Sequence, residues 1–251
     1  MNIELSRPRS FYIESDGKPM GETELHVRNS RYFLDALDDW FADDPMVYVA
    51  GNMFVHYERG NRNRHVSPDV FVVRGVPKEP EPLRRKYLVW EEGRAPDLVV
   101  EFTSESTRDE DLVTKRAVYQ DVLRVKEYFL FDPFEEYLRP PLQGYRRVGA
   151  RFRPIKAVGS RLPSAVLGLH LQAQGVLLRL YDPARSRWLP IPAEVRDSQR
   201  RAEAARRKAE AARRKAEAAR RKESEARRNL EAEVARLRRE LEELRRRPPA
   251  H

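Results

Sequence analysis

The apolar positions in the first three quarters of the chain follow two different periods. Between residues 22 and 42 they recur at close to helical spacing, which predicts an amphipathic helix. Residues 70–73, 97–103 and 127–131 are instead almost continuous apolar runs, which predict short strands buried on both faces. Because these buried strands flank helices, we predict a mixed α/β sheet rather than an all-β sandwich.

Shorter apolar runs add further elements around this sheet. Residues 46–50 and 53–57 are typical of two strands or of a hairpin. Thr107 followed by Glu110 is a capping-box pattern, and it predicts the start of a second amphipathic helix. The remaining apolar runs predict strands near 142–148, 169–172 and 176–181, with a brief helical piece at 164–167.

The last quarter of the chain has a third pattern, a repeat of seven residues. The block Ala-Glu-Ala-Ala-Arg-Arg-Lys occurs three times in residues 202–222, and a leucine-bearing segment follows it up to Pro248. The apolar seam keeps heptad spacing apart from one stutter before Val234. We therefore predict a long charged helix over residues 193–247.

Three interpretations of this helix stay open. The first is a dimeric coiled coil through residues 202–244, although alanine at most seam positions buries little area. The second is a lone solvated helix, which Glu–Arg pairs four residues apart would stabilise. The third is an arm whose Arg-Arg-Lys clusters contact DNA phosphates. We rank the three in this order.

The positive charge of the chain is concentrated in this extension. The protein has 251 residues and a net charge of +9, and residues 194–247 contain 20 lysines and arginines against 12 acidic residues. The body before them is nearly neutral, so the net charge gives no evidence that the body binds nucleic acid. We predict four segments: a polar leader (1–20), a folded domain (21–192), the charged helix (193–247) and a short tail (248–251).

The composition excludes several classes of site. The chain has no cysteine, which excludes disulfides and cysteine-ligated zinc or iron–sulfur centres. It has no apolar core of signal-peptide length near the start and no apolar stretch of membrane-spanning length. We therefore expect a cytoplasmic protein with no membrane partner.

Three charged residues stand at positions where the pattern predicts an apolar environment. Glu101 has apolar neighbours on both faces of its strand, where an unpaired carboxylate would lose much of its hydration energy. Asp69 lies at the start of another buried strand. Lys115 lies three residues after Leu112 and four before Tyr119, within the apolar stripe of the second helix.

Each of these residues alone has a simple structural explanation. Glu101 could follow the end of a strand, Asp69 could cap a turn, and the Lys115 stem could run along the core to water. Together they place two carboxylates on adjacent strands and a lysine on the next helix. Carboxylate oxygens suit Mg²⁺ or Mn²⁺, and a lysine can stabilise a phosphoryl transition state. The combination predicts metal-dependent hydrolysis of phosphodiester bonds.

Five motifs in a fixed order carry a resemblance to a known family. They are Ser67-Pro68-Asp69 with its apolar run, Trp90-Glu91-Glu92-Gly93, Pro96 to Glu101, Asp111-Leu112 with Lys115, and Glu127 to Pro133. As a series they resemble the Uma-two family of predicted restriction endonucleases, within the PD-(D/E)XK nuclease superfamily, over about residues 20–190. The resemblance implies a restriction-endonuclease-like fold in which Asp69 and Glu101 are metal ligands.

One position departs from the pattern of that superfamily. A lysine usually follows the strand acid by two residues, and here the position is Thr103. The resemblance implies that Lys115 supplies this charge from the next helix instead. Glu24 on the first helix is a further acid of the kind some members carry, although a surface charge is the simpler interpretation. The five histidines show no metal-ligand spacing, and we predict no site role for them.

The sequence therefore predicts a Mg²⁺- or Mn²⁺-dependent endonuclease that acts on DNA and is dimeric through its extension. Asp69, Glu101 and Lys115 are the predicted catalytic residues, with the two acids on the metal. The alternative, which Thr103 keeps open, is a catalytically inactive nuclease relative. Such a protein would act as an oligomerising or nucleic-acid-binding module through its C-terminal coiled coil.

Overall fold

The computed structural model describes residues 11–12, 23–103 and 110–246. The chain divides into two units, Met1–Ile191 and Pro192–His251. The predicted tail, nearly all of the predicted leader and Thr107 of the capping box lie outside the described residues. These three parts of the prediction stay predictions.

Strands dominate the described part of the first unit. In chain order they are β1 (Val47–Ala50), β2 (Val55–His56), β3 (His65–Val66), β4 (Val70–Arg74), β5 (Tyr87–Leu88), β6 (Leu98–Phe102), β7 (Glu127–Phe131), β8 (Leu142–Val148), β9 (Arg151–Pro154), β10 (Leu162–Ser164), β11 (Leu169–Gln174), β12 (Leu177–Asp182) and β13 (Arg187–Trp188). Among the described residues they form three sheets of six, four and three strands.

The six-stranded sheet is the centre of this unit, in the order β1-β4-β6-β7-β8-β9. Within it β6 and β7 run parallel, and the other neighbouring pairs are antiparallel. Every residue of β6 and β7 is buried. Because both faces of these strands are covered, their sequences lack the polar alternation of a half-exposed strand. The prediction of a mixed α/β fold is confirmed.

Helix α1 (Glu24–Trp40) begins at a threonine N-cap. The Thr23 side chain accepts a hydrogen bond from the backbone N–H of His26 at 3.3 Å, which satisfies one of the free donors of the first turn. Phe33 and Leu37 lie on its buried face. The amphipathic helix expected between residues 22 and 42 is therefore present, with slightly shorter ends.

A second helical segment follows β6, and most of it has π-helical geometry. Its π-helical parts are Glu110–Lys115 and Val118–Val122. At its end the N–H of Leu123 donates to the carbonyl of Val118, five residues back, at 2.9 Å. Turns of this width are rare and occur frequently at functional sites. We call residues 110–122 the π-helical segment.

Each face of the six-stranded sheet is covered by a different layer. On one face, Phe33 of α1 and Leu171 of the four-stranded sheet pack in the same apolar cluster as Val100 of β6. On the other face, Tyr119 of the π-helical segment and Val55 of the three-stranded sheet belong to a second cluster. The central strands therefore have two apolar cores, one on each side.

The structure decides two local predictions: residues 46–50 and 53–57 contain two separate strands, as one of the two alternatives predicted, and the helical piece at 164–167 is wrong. Strands β1 and β2 do not form a hairpin, because β1 pairs with β4 while β2 joins β3 and β5 in another sheet. The helical piece expected at 164–167 is a turn after β10. In it the N–H of Gly168 donates to the carbonyl of Ser164 at 3.1 Å, and strand β11 begins directly afterwards.

The second unit contains the long helix α2 (Pro192–Arg246), which has 55 residues. This confirms the predicted charged helix. The apolar residues of its last part are solvent-exposed within this chain, among them Leu230, Val234, Leu237 and Leu241. No helix in the described ranges combines the length and apolarity that a membrane crossing requires.

Candidate active site

Asp69 and Glu101 lie opposite each other on neighbouring strands. The antiparallel register pairs Val70 with Val100, which places Asp69 beside Glu101 at the next position. The Asp69 N–H donates to Glu101 Oε2 at 3.3 Å, and the Phe102 N–H donates to Asp69 Oδ2 at 2.7 Å. Each carboxylate is thus held by the backbone of the other strand, and both are buried.

The chain segment before β2 fixes the backbone of Asp69. The Asn52 N–H donates to the carbonyl of Pro68 at 2.9 Å. A Cβ atom at Gly51 would lie 2.1 Å from the Asp69 carbonyl oxygen, which is far inside van der Waals contact. Glycine is therefore required at position 51 for this close approach of two backbones.

The π-helical segment supplies two further contacts to Glu101. Lys115 Nζ lies 3.3 Å from Glu101 Oε2, and the Tyr119 hydroxyl donates to Glu101 Oε1 at 2.6 Å. The Glu101 side chain is 1% exposed and that of Lys115 is 14% exposed, so the lysine lies on the solvent side of the carboxylate. Burial, followed by the nearby Glu101 charge, raises the pKa of Tyr119 well above its usual range. Tyr119 consequently remains a hydrogen-bond donor at neutral pH.

Helix α1 brings a histidine to the same place from the other face of the sheet. His26 Nε2 lies 3.0 Å from Asp69 Oδ1, and both side chains are only slightly exposed. The imidazole also makes an edge contact with the ring of Phe102, with 5.9 Å between the ring centroids. His26, Asp69, Glu101 and Lys115 thus form a chain of charged or polar groups contributed by four elements: α1, the start of β4, β6 and the π-helical segment.

The structure brings together the three residues that the sequence singled out. Glu24 is on the outer side of α1, with its side chain 78% exposed and paired to Arg28 at 2.7 Å. The hydroxyl of Thr103 contacts that of Tyr137. Asp97 lies at the start of β6, where it accepts from the Arg74 N–H.

Sequence reasoning missed two residues of the site. His26 is absent from the predicted site because the histidines show no metal-ligand spacing, and Tyr119 enters the prediction only as part of an apolar stripe. A signal existed for Tyr119, since it lies four residues after Lys115 and therefore near it on a helical surface. The sequence carries no comparable signal for His26, because its contact with Asp69 depends on how α1 packs.

The donor set can be compared with the needs of a metal ion. Among the residues that the structure describes, no group of three or more His, Cys, Asp or Glu side chains is arranged to hold one. Mg²⁺, however, commonly takes one or two protein carboxylates and completes its coordination with water and phosphate oxygens. The adjacent Asp69 and Glu101 fit that requirement, and the cationic Lys115 beside them shows that the carboxylates favour positive charge.

Comparison with known proteins places this chain in a protein family. The profile of Uma2, described as "putative restriction endonuclease", matches residues 6–174. The chain belongs to the Uma2 family. The family resemblance inferred from the ordered motifs is thereby confirmed, and Asp69, Glu101 and Lys115 all lie inside the segment that matches Uma2.

Solved structures similar to this Uma2 chain exist, and one of them is a crystal structure of a putative nuclease belonging to DUF820 from Anabaena variabilis ATCC 29413. The two share 15% sequence identity with a TM-score of 0.45, over 65% of this chain and 87% of the other. No curated protein matches the chain.

Proposed function

We propose that this protein is a divalent-metal-dependent endonuclease that hydrolyses phosphodiester bonds in DNA in the cytoplasm. The observation that carries the proposal is the convergence of Asp69, Glu101 and Lys115, from two strands and the π-helical segment, in a member of the Uma2 family. Two adjacent buried carboxylates with one lysine have the charges needed to bind a cation and an anionic substrate together.

Asp69 and Glu101 would hold Mg²⁺ or Mn²⁺ through their carboxylate oxygens. The bound ion would supply positive charge to the scissile phosphate and lower the pKa of water at the site. Lys115 is placed to donate from Nζ to a phosphate oxygen, because its ammonium group is the more exposed partner of its pair with Glu101. This donation would stabilise the extra negative charge of the transition state.

The remaining residues of the site orient the two carboxylates. The Tyr119 hydroxyl and the Asp69 N–H fix Glu101, while the Phe102 N–H and His26 fix Asp69. These contacts come from both faces of the sheet. Pre-positioned ligands matter because a carboxylate that is already oriented loses little conformational entropy on binding.

The test is the nicking of supercoiled plasmid by the full-length chain with Mg²⁺, with Mn²⁺ and with EDTA. We expect cleavage with either ion and none with EDTA. Asp69→Asn and Glu101→Gln should each lower the rate by at least about a thousandfold. Isothermal titration with Mn²⁺ gives a second readout, in which both variants should bind the ion more weakly. The Glu24→Gln variant is the matched control and should behave like the wild type.

Two results would contradict this assignment. Cleavage that persists in EDTA and in both variants would place the activity elsewhere. Specific DNA binding without cleavage under any metal condition would favour the second candidate, a catalytically inactive module. The observation that favours this candidate is Thr103, whose hydroxyl contacts Tyr137 at the position where the superfamily pattern has a lysine.

We also propose that the chain forms a homodimer through residues 202–244. In support, Leu230, Val234, Leu237 and Leu241 are exposed within the chain and recur at coiled-coil spacing. Sedimentation velocity should show a dimer that Leu237→Glu/Leu241→Glu converts to a monomer. Ala211→Glu/Ala218→Glu, which adds the same two charges off the seam, should leave the dimer intact. A monomeric wild type would favour the lone helix.

A further inference from the structure

A basic hairpin rises from the chain segment that leads into Asp69. Its strands are β2 and β3, paired in the register Val55 with Val66 and His56 with His65. The pairing continues through the Tyr57 N–H, which donates to the Arg64 carbonyl at 3.1 Å. We call residues 55–66 the basic hairpin.

The tip of the basic hairpin has an ordered backbone conformation. The N–H of Asn61 donates to the Glu58 carbonyl, and the N–H of Arg64 donates to the Asn61 carbonyl, each at 3.3 Å. Gly60 adopts a positive φ of 85° and its N–H donates to the Tyr12 hydroxyl at 2.7 Å. A tip held in one conformation presents its side chains in fixed directions.

The side chains at this tip are of types that can hydrogen-bond to DNA bases. Arg59, Arg62 and Asn63 are all exposed. Among the described residues, none of these three side chains has an ion-pair or hydrogen-bond partner. Arg64, in contrast, is paired with Glu58 at 3.2 Å. The tip therefore presents two unpaired guanidinium groups and one amide on a body that is otherwise nearly neutral.

These groups fit the chemistry of base edges better than that of phosphate alone. The major groove of B-form DNA admits a two-stranded β-ribbon as well as an α-helix. Within it, arginine binds guanine through two hydrogen bonds, and asparagine binds adenine in the same way. A ribbon that carries two arginines and an asparagine at its tip has side chains for three base contacts.

The position of the basic hairpin relative to the candidate active site also supports DNA as its partner. Val66 is three residues before Asp69, and the hairpin packs through Val55 and Val66 in the apolar cluster on the face that also carries Tyr119. Asn63 is six residues from Asp69, which limits their separation to about 20 Å. At about 3.4 Å per base pair, this corresponds to about six base pairs.

We propose that the basic hairpin is the element that reads DNA sequence, with its tip in the major groove of a duplex. Asn63 contacts a base edge within about six base pairs of the phosphate that is cleaved, and Arg59 and Arg62 contact base edges next to it. This inference rests on the proposed endonuclease function and adds its specificity-determining residues.

The experiment uses the full-length chain with Glu101→Gln, so that bound DNA stays intact. A pool of random-sequence duplex DNA is bound in Mg²⁺, recovered and sequenced, and the affinity for the enriched duplex is measured by fluorescence anisotropy. Arg59→Ala/Arg62→Ala is compared in the same background with Arg151→Ala/Arg153→Ala. This control removes two exposed arginines from β9, so that the loss of net charge is the same.

We expect the parent to enrich a short motif, and the hairpin variant to lose the motif together with at least about tenfold in affinity. The control should keep the motif. Enrichment of the same motif with unchanged affinity by the hairpin variant would overturn the proposal. Plasmid cleavage by the wild type together with no enriched sequence for the Glu101→Gln chain would overturn the role of the hairpin in sequence recognition alone. A chain that neither binds nor cleaves DNA would overturn the proposed function as well.

Discussion

The two ends of the parallel pair β6–β7 both carry buried carboxylates, and the surroundings of these carboxylates differ. At the amino-terminal end, Glu127 accepts from the Arg146 guanidinium, the Ser164 hydroxyl and the N–H groups of Ala165 and Val166. Its negative charge has a full set of donors.

At the carboxyl-terminal end of β6, Glu101 lies beside a second carboxylate. Asp69 donates only its backbone N–H to Glu101, and its own side chain adds negative charge to the same place. Lys115 is the cation paired with Glu101. Carboxylates that lie close together with few cations lower the free energy of unfolding, because like charges repel. A protein retains such a cluster mainly where the cluster has a function.

The comparison shows how a buried acid that stabilises the fold differs from one that serves a site. Glu127 connects β7 to the turn after β10, and thereby joins two sheets. Glu101 is located where β6 ends, and ligands of open α/β sheets bind near the carboxyl ends of parallel strands. The predictions below test this distinction.

The largest expected difference is in folding stability. Glu127→Gln should lower the free energy of unfolding by about 3 kcal/mol, because a buried ion pair and its hydrogen bonds are broken. Glu101→Gln should change it by less than about 1 kcal/mol, since the substitution also removes a like-charge contact with Asp69. Urea denaturation followed by tryptophan fluorescence measures both, because Trp40, Trp90 and Trp188 all belong to the first unit. If both substitutions lowered the free energy of unfolding by the same amount, Glu127 and Glu101 would not differ in how they affect stability.

Part of this arrangement could be predicted from the sequence. Asp69 and Glu101 are carboxylates next to or within long apolar runs, and alternation along a strand gives the face of each side chain. Lys115 falls within an apolar stripe of helical period. Local patterns of this kind were sufficient to name three residues and the mixed sheet, because each depends on neighbours in the sequence.

The parts that could not be predicted depend on long-range packing. His26 reaches Asp69 across 43 positions of the chain only because α1 packs on the sheet. The strands of the three-stranded sheet have two residues each, too few to show a period. The π-helical geometry around Lys115 has no sequence signature either, because the spacing of apolar residues predicts a helix but does not distinguish a π-helix from an α-helix.

The second prediction concerns the backbone that supports Asp69. Gly51→Ala should lower nuclease activity by about a hundredfold, because a displacement of Asp69 by about 1 Å is enough for such a loss. The steric overlap should also cost about 1–3 kcal/mol of stability. Gly93→Ala is the control. The positive φ of 69° at Gly93 also makes a substitution there strained, but an added Cβ would have no atom within 4 Å. It should lose stability without a loss of activity per folded molecule.

The third prediction separates the hydroxyl of Tyr119 from its ring. Tyr119→Phe keeps the packing of the ring and removes the donor to Glu101 Oε1, so activity should fall about tenfold and stability by about 1–2 kcal/mol. Tyr87→Phe is a matched control, because the buried Tyr87 hydroxyl donates to the Arg94 carbonyl at 2.8 Å. It should show a similar stability loss with normal cleavage. A Tyr119→Phe variant with full activity would show that Glu101 needs no such support.

The smallest expected effect is at the amino-terminal end, where Lys126 Nζ lies 2.7 Å from Asp97 Oδ1. Its side chain is 64% exposed, against 14% for Lys115, so water already solvates the Lys126 ammonium group and the ion pair contributes little. Lys126→Met should therefore cost less than about 1 kcal/mol and leave plasmid cleavage unchanged. Lys115→Met should reduce cleavage by about a hundredfold. If the two variants cleaved DNA at the same rate, Lys115 would have a structural role like that of Lys126. The ammonium–carboxylate pair would then have the same effect on cleavage at both ends of the sheet.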